Sequence, residues 1–311
     1  MNDPLAELTT NPRVPLAEPI RRARATVLDA IGDLRAVHDD ALERPWRWRA
    51  DQTDDYPDVR YGLYRIHELF EEATAEIHRG GAAHPEPGRP EPAVPRLAAA
   101  TAARWELRGA LTPLPASAWD ADPGGGEWSI RRTVGHIVSS QRAYGWTTAW
   151  FLSRAGTPDA GEYPPDGALP EETDEEHEAD GDVADVLARL DGLVDQASEC
   201  LASLDAAALA VPGRWSHLPV TVDFRLGRLG SHIREHTIQV DKTVAMLGLP
   251  TSEVDRLVRL VLATYGRLEA MVFGRPMPAV ARGALVVEEA ATAAAATAAA
   301  VRSAAGVAAE A

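Results

Sequence analysis

Apolar residues recur along this chain at intervals of three and four, the spacing of one helix face, and strict strand-like alternation is almost absent. The pattern therefore predicts an all-α fold. Two N-terminal helices are expected, from about Pro19 to Glu43 and from about Pro57 onward. Four more helices are expected to form a bundle. They run from about Val94 to Leu111, from Ser129, the expected N-cap, to about Ser153, from about Asp182 to Leu204 and from about Val222 to Leu247.

Proline, glycine and low-complexity stretches divide the chain. The segment Gly80–Pro95 is too rich in Pro and Gly to continue a helix and indicates a linker. A further helix is expected from Ser252, with Asp255 as its capping partner, and beyond Pro278 an Ala-rich tail is either helical or disordered. The predicted organisation is an N-terminal helix pair (1–79), a linker (80–95), a four-helix bundle (96–249), an accessory C-terminal helix (250–278) and an Ala-rich tail (279–311).

Two histidines interrupt the apolar stripe of the fourth bundle helix. His236 occupies a position where the pattern expects an apolar residue, and His232 lies one turn earlier on the same face. Two imidazoles at this spacing can point at one metal ion, although such pairs also occur as core or surface histidines bonded to their neighbours. Gln239 follows on the same side and is a candidate for holding a ligand by a hydrogen bond.

A third ligand has to come from another helix, and His136 is the best candidate. It lies in the second bundle helix, flanked by the apolar residues Val134, Ile137 and Val138. The alternative is a lone core histidine.

The segment EWSIRRTVGHIV, residues 127–138, followed by GSHIREHTIQVDKTVAMLG, residues 230–248, resembles the DinB family. The resemblance covers about half of the chain, roughly residues 94–249. It implies a metal-binding four-helix bundle in which His136, His232 and His236 are the ligands of a divalent transition metal, zinc or nickel being the expected ion. Relatives in this family include thiol-dependent S-transferases and mycothiol-dependent maleylpyruvate isomerases, so a low-molecular-weight thiol is the expected second cofactor.

Other histidines carry weaker signals. His67 and Glu71, one turn apart, are candidates for a second metal site, but a solvated helix face is the preferred interpretation. His38 lies on the stripe of the first helix and is expected in the core or an interface. His217 is a candidate for the mouth of a pocket.

Two further histidines lack a supporting partner. His84 lies in the linker, and His177 lies in the segment Glu171–Asp185, which holds nine acids and no base and is most simply a solvated loop.

Composition narrows the classes of function. The net charge of −16 over 311 residues argues against a nucleic-acid partner. Cys200 is the only cysteine, which excludes an internal disulfide and a thiolate metal cluster. No stretch qualifies as a transmembrane helix, and no signal peptide is recognised, so a cytoplasmic protein without a membrane partner is expected.

The sequence therefore predicts a divalent-metal-dependent enzyme that acts on a small-molecule substrate, by thiol transfer or thiol-assisted isomerisation. A metal-dependent hydrolase is one alternative. The other is a non-catalytic interaction module, in which the helices outside the bundle form a homodimer surface. No general base is identifiable from the sequence.

Overall fold

The computed structural model describes residues 18–51, 56–83, 91–170, 174–272 and 277–307. These residues form helices α1 to α11, which are Glu18–Arg35, Val59–Ala83, Val94–Leu111, Ala116–Trp119, Ile130–Ser153, Glu175–Glu178, Val183–Leu201, Ala206–Leu209, Val222–Met246, Glu253–Ala270 and Met277–Ala304. The prediction of an all-α fold is confirmed. The sheet within these residues is a single antiparallel hairpin of β1, Pro212–Trp215, and β2, Leu218–Thr221, which the sequence pattern did not predict.

Side-chain hydrogen bonds cap the N-termini of helices α5 and α10. The Ser129 hydroxyl accepts the backbone N–H of Arg132 at the start of α5. Ser252 and Asp255 form a reciprocal capping box at the start of α10. Both predicted caps are confirmed.

The chain divides into two compact units. One of them contains a four-helix bundle of α3, α5, α7 and α9. Helix α9 packs most extensively on α3 and also packs on α5, and α7 contacts the same two helices. Gly230 allows the close approach of α9 to α3, because a Cβ at this position would lie 3.0 Å from the backbone of Ala99 and Ala100. The bundle core is apolar, and its largest fully buried members include Trp119 and Phe151.

The other unit is also a bundle of four helices, α1, α2, α10 and α11. The packing order is the same as in the first bundle. Helix α1 packs most extensively on α11, as α3 does on α9, and α2 contacts both α10 and α11, as α5 contacts both α7 and α9. The Ala-rich segment is thus helical and structural: Ala291, Ala298 and Val301 of α11 are buried in this unit.

One described helix meets the length and composition of a membrane span, contrary to the sequence expectation. Residues 282–304 have a mean hydropathy of 1.4. In this structure the same helix packs against α1 and α2, and an alanine-rich core helix passes such a test equally well.

The expectation of a core position for His38 is wrong, whereas the alternative position at an interface stays a prediction. Helix α1 ends at Arg35, so His38 lies beyond it and is exposed. The next residue, Asp39, accepts the backbone N–H groups of Glu253 and Val254 through its carboxylate, which satisfies the start of α10.

The structure groups the predicted segments into two compact units. The exact boundaries stay predictions, namely 1–79, 80–95, 96–249, 250–278 and 279–311. Helix α2 continues to Ala83, beyond the predicted start of the linker, and residues 84–90 lie outside the described ranges. The N-terminal helix pair, the accessory helix and the Ala-rich helix form one compact unit, so none of them has to bury its apolar face alone.

Candidate metal centre

The structure brings the three predicted histidines together inside the bundle of α3, α5, α7 and α9. His136 extends from α5, and His232 and His236 extend from successive turns of α9. One ring nitrogen of each histidine lies within 4.8 Å of the others. Within the described residues, no other group of three His, Cys, Asp or Glu side chains is arranged around one point in this way.

The donor set fits a divalent cation. The Nε2 atoms of His232 and His236 face each other at 3.1 Å. Two ligands of a tetrahedral ion with metal–nitrogen bonds of about 2.1 Å lie about 3.4 Å apart, so this pair already has the required spacing. Nδ1 of His232 is buried without a hydrogen-bond partner in the described structure, so the neighbouring side chains do not fix its tautomer.

Helix α6 orients His136. Nδ1 of His136 lies 2.6 Å from Oε1 of Glu175, and an ionised carboxylate can only accept, so the imidazole donates. Oε2 of Glu175 lies 3.5 Å from Nε of Arg132, so the second carboxylate oxygen faces a cation. The Nε2 lone pair of His136 is therefore left free for a metal ion.

Gln239 orients the ring of His236, as Glu175 orients that of His136. Nδ1 of His236 lies 2.7 Å from Oε1 of Gln239, one turn further along α9. The amide oxygen accepts this hydrogen bond and leaves the Nε2 lone pair of His236 free for the ion. The sequence prediction placed Gln239 in this role.

Burial keeps the imidazoles of α9 neutral. Burial, followed by the neighbouring His236 and His136, lowers the pKa of His232 to about 3. Burial also lowers the pKa of His236, and His136 adds to this effect, while the hydrogen bond to Gln239 opposes it. Near neutral pH both rings therefore retain a lone pair for coordination.

Aromatic and charged side chains surround the triad. The Trp128 ring lies edge-on to His136 at 5.2 Å, and the Tyr144 ring lies edge-on to His232 at 5.4 Å. Glu235 lies near the histidines of α9, but Arg228 binds it through both of its oxygens.

The prediction that Glu171–Asp185 is a solvated loop is wrong for two of its acids. Glu175 contacts His136, and the buried Glu178 forms an ion pair with Arg142 of α5 at 2.6 Å. Gly135 makes this packing possible, because a Cβ there would lie 2.3 Å from the carbonyl oxygen of Glu175. A glycine inside a helix, directly before a candidate ligand, was the one sequence signal for this contact.

Three other histidines singled out in the sequence lie away from the triad. In the other bundle, Nδ1 of His67 lies 2.7 Å from the Thr264 hydroxyl and Nε2 lies 3.4 Å from Glu71, so the ring has protein partners. His177 and His217 are exposed, His217 at the tip of the β1–β2 hairpin.

His84 and Cys200 are not part of the triad. His84 lies outside the described residues. Cys200 is a half-buried cysteine that forms no disulfide, and it lies on α7, a helix that contributes no member of the triad.

The chain is similar to a known family and to a solved structure. The family model of the DinB superfamily matches residues 99–240. Among solved structures, YfiT from Bacillus subtilis, described as a probable metal-dependent hydrolase with an unusual four-helix bundle topology, is similar at 14% sequence identity and a TM-score of 0.37. That match covers 66% of this chain and 95% of YfiT. No curated protein matches the chain.

Proposed function

We propose, from the premise that residues 99–240 belong to the DinB superfamily, that this protein is a divalent-metal-dependent enzyme that uses a small thiol to transfer a group to, or isomerise, a small electrophile. One observation carries the proposal. Three imidazoles converge on one point, and partners hold two of them with Nε2 free, His136 by Glu175 and His236 by Gln239.

His136, His232 and His236 would hold the ion, with zinc or nickel as the expected metals. Three neutral ligands leave the full +2 charge of the ion, which supplies Lewis-acid chemistry by lowering the pKa of a thiol or water in an open position. Trp128 and Tyr144 provide apolar ring surface beside the triad, where a small substrate can be shielded from solvent.

The carboxylates near the triad support thiol chemistry over hydrolysis. Glu175 is engaged by His136 and Arg132, and Glu235 is engaged by Arg228. The ion can acidify either a thiol or water, but a free thiol, with a pKa of about 8.5, is far more acidic than water, so it is the easier of the two to convert to a nucleophile without a general base. Because Cys200 lies on a helix without a ligand, the thiol is proposed to come from a small molecule, mycothiol being the family's example.

Metal analysis of the purified protein is the first test. Wild type is expected to carry about one transition-metal ion per chain, and His236→Ala is expected to lose most of it. His177→Ala is the matched control, because it removes an exposed histidine of the same unit and should retain the metal. Full occupancy in His236→Ala would contradict the site.

Turnover is the second test. The metal-loaded protein is assayed with an electrophile such as a chlorinated aromatic compound, with and without a panel of thiols. Metal-dependent activity that requires thiol supports the proposal. Metal-dependent activity without thiol would assign a hydrolase, and no turnover at full metal occupancy would favour the non-catalytic interaction module.

A further inference from the structure

Arg225 is a buried cation without a carboxylate partner among the described residues. It is only 3% exposed, and the acceptors of its guanidinium are the hydroxyls of Thr147 and Thr148 and the backbone oxygen of Arg214. These three acceptors are neutral. A guanidinium has five N–H groups, so two of them remain for another acceptor.

Other arginines of the same bundle are neutralised. On α9 itself, Arg228 binds Glu235 and Arg234 binds Glu106, and the fully buried Arg104 of α3 binds Asp195. Burying a cation without an anion carries a large desolvation cost, which is why buried charges are normally paired. Burial lowers the pKa of Arg225 to about 10, so the side chain still carries its charge near neutral pH.

Arg225 also has a defined position relative to the triad. It precedes His232 by seven residues, almost two full turns, so both side chains leave the same face of α9 about 10 Å apart along the axis. The Tyr144 ring lies between them, 5.8 Å from the Arg225 guanidinium and 5.4 Å from the His232 ring. The centroid of the Phe151 ring lies 5.2 Å from the central carbon of the same guanidinium.

We propose that Arg225 binds a carboxylate group of the substrate while the reacting part of the same molecule lies at the histidine triad. The proposal rests on the proposed function for what happens at the triad, and it names the substrate class as a small carboxylic acid. A planar, singly charged carboxylate matches the two remaining N–H groups and cancels the single charge of Arg225. A phosphate dianion fits less well, because the neighbouring carbonyl of Arg214 and the two threonine oxygens already place negative partial charge there.

The competing role for Arg225 is purely structural, since its hydrogen bond to the Arg214 carbonyl ties α9 to the β1–β2 hairpin. Ligand binding separates the two roles. Benzoate is the probe, because the flanking rings of Tyr144 and Phe151 suit an aromatic acid, and benzamide is its neutral counterpart of the same shape. Calorimetry of metal-loaded wild type is expected to show benzoate binding at least tenfold tighter than benzamide. Equal affinity for the two, or no binding of benzoate, would overturn the proposal.

Arg225→Gln is expected to weaken benzoate binding at least tenfold while the metal content stays at the wild-type level. Arg234→Gln removes the same charge from the same helix but breaks a pair with Glu106, and it should bind benzoate like wild type. Unchanged benzoate affinity in Arg225→Gln would overturn the proposal. If that variant does not fold, Arg225→Lys, which keeps the charge but loses the planar fork, should retain the fold and bind benzoate more weakly than wild type. Wild-type affinity in Arg225→Lys would contradict the role of the fork.

The failure of this proposal is distinguishable from failure of the metal enzyme. The same titration is repeated on His236→Ala, which is expected to lack metal. If benzoate binding still depends on Arg225 in the protein without metal, the carboxylate site exists independently of the metal site. If metal binding is normal and benzoate affinity does not change with Arg225, the metal site is supported and the carboxylate site is contradicted.

Discussion

Glu175 accepts a hydrogen bond from Nδ1 of His136 at 2.6 Å, across 39 residues of sequence, and so links an acidic segment to the candidate metal centre. The same carboxylate lies 3.5 Å from Arg132, one turn before His136 on α5. A carboxylate in this position fixes the tautomer and the orientation of a ligand histidine. From composition alone this acidic turn is expected to be solvated surface. The hydrogen bond shows that one of its carboxylates supports a candidate metal ligand.

Glu175→Ala is therefore expected to weaken metal affinity by about 10- to 100-fold, the usual cost of losing such a partner. Competition with a chromophoric chelator measures the dissociation constant. Glu176→Ala is the control, because Glu176 has the same charge, lies in the same turn and is exposed. If the two variants bind metal equally well, Glu175 does not support His136.

Gly135→Ala tests whether the close approach of α6 matters. The added methyl group would lie 2.3 Å from the Glu175 carbonyl oxygen and 2.8 Å from the Ala179 side chain, so α6 has to move outward. We expect a loss of stability of about 1–3 kcal/mol and, because Glu175 moves with the backbone, weaker metal binding as well. Urea unfolding and the chelator competition measure the two effects.

Gly227→Ala is the matched control on α9, where the nearest atom to an added Cβ is an Arg96 guanidinium nitrogen at 3.7 Å. Alanine favours the helix by up to about 1 kcal/mol over glycine, so this variant should be neutral or stabilised. Equal stability changes in both variants would show that the contact with α6 is not tight.

Glu178→Ala tests the second anchor of the acidic segment. Glu178 is 1% exposed and binds Arg142 through both carboxylate oxygens. Removing one member of a buried ion pair leaves the other uncompensated, so we expect a loss of about 3 kcal/mol in the free energy of unfolding. The exposed Glu176→Ala should change it by less than about 0.5 kcal/mol, and a similarly small effect of Glu178→Ala would place the pair among ordinary surface contacts.

The parts of the structure that depend on local spacing could be predicted from the sequence. The step of four residues between His232 and His236 requires only the helical repeat, and the Ser129 cap requires only a local hydrogen bond. Gln239 was predictable for the same reason, since it is three residues from its partner.

Relationships between distant segments were not predictable in the same way. Glu175 reaches His136 only because a short helix folds back onto α5, and no periodicity records that approach. The Ala-rich helix α11 lacks the contrast between polar and apolar faces that would have shown its buried side. Strands β1 and β2 have four residues each, too few for alternation to stand out.

The pKa of His232 predicts how the stability of the metal-free protein depends on pH. Burial and the neighbouring His236 and His136 lower this pKa from 6.5 to about 3 in the folded state. Between these two values the unfolded chain binds a proton that the folded chain does not, so the free energy of unfolding decreases as the pH falls through this window. We expect the thermal midpoint of the metal-free protein to fall more steeply between about pH 7 and pH 5 than that of His232→Gln, whose side chain does not titrate. Thermal unfolding followed by circular dichroism in a chelator measures both curves, and parallel curves would show that His232 is not buried in its neutral form.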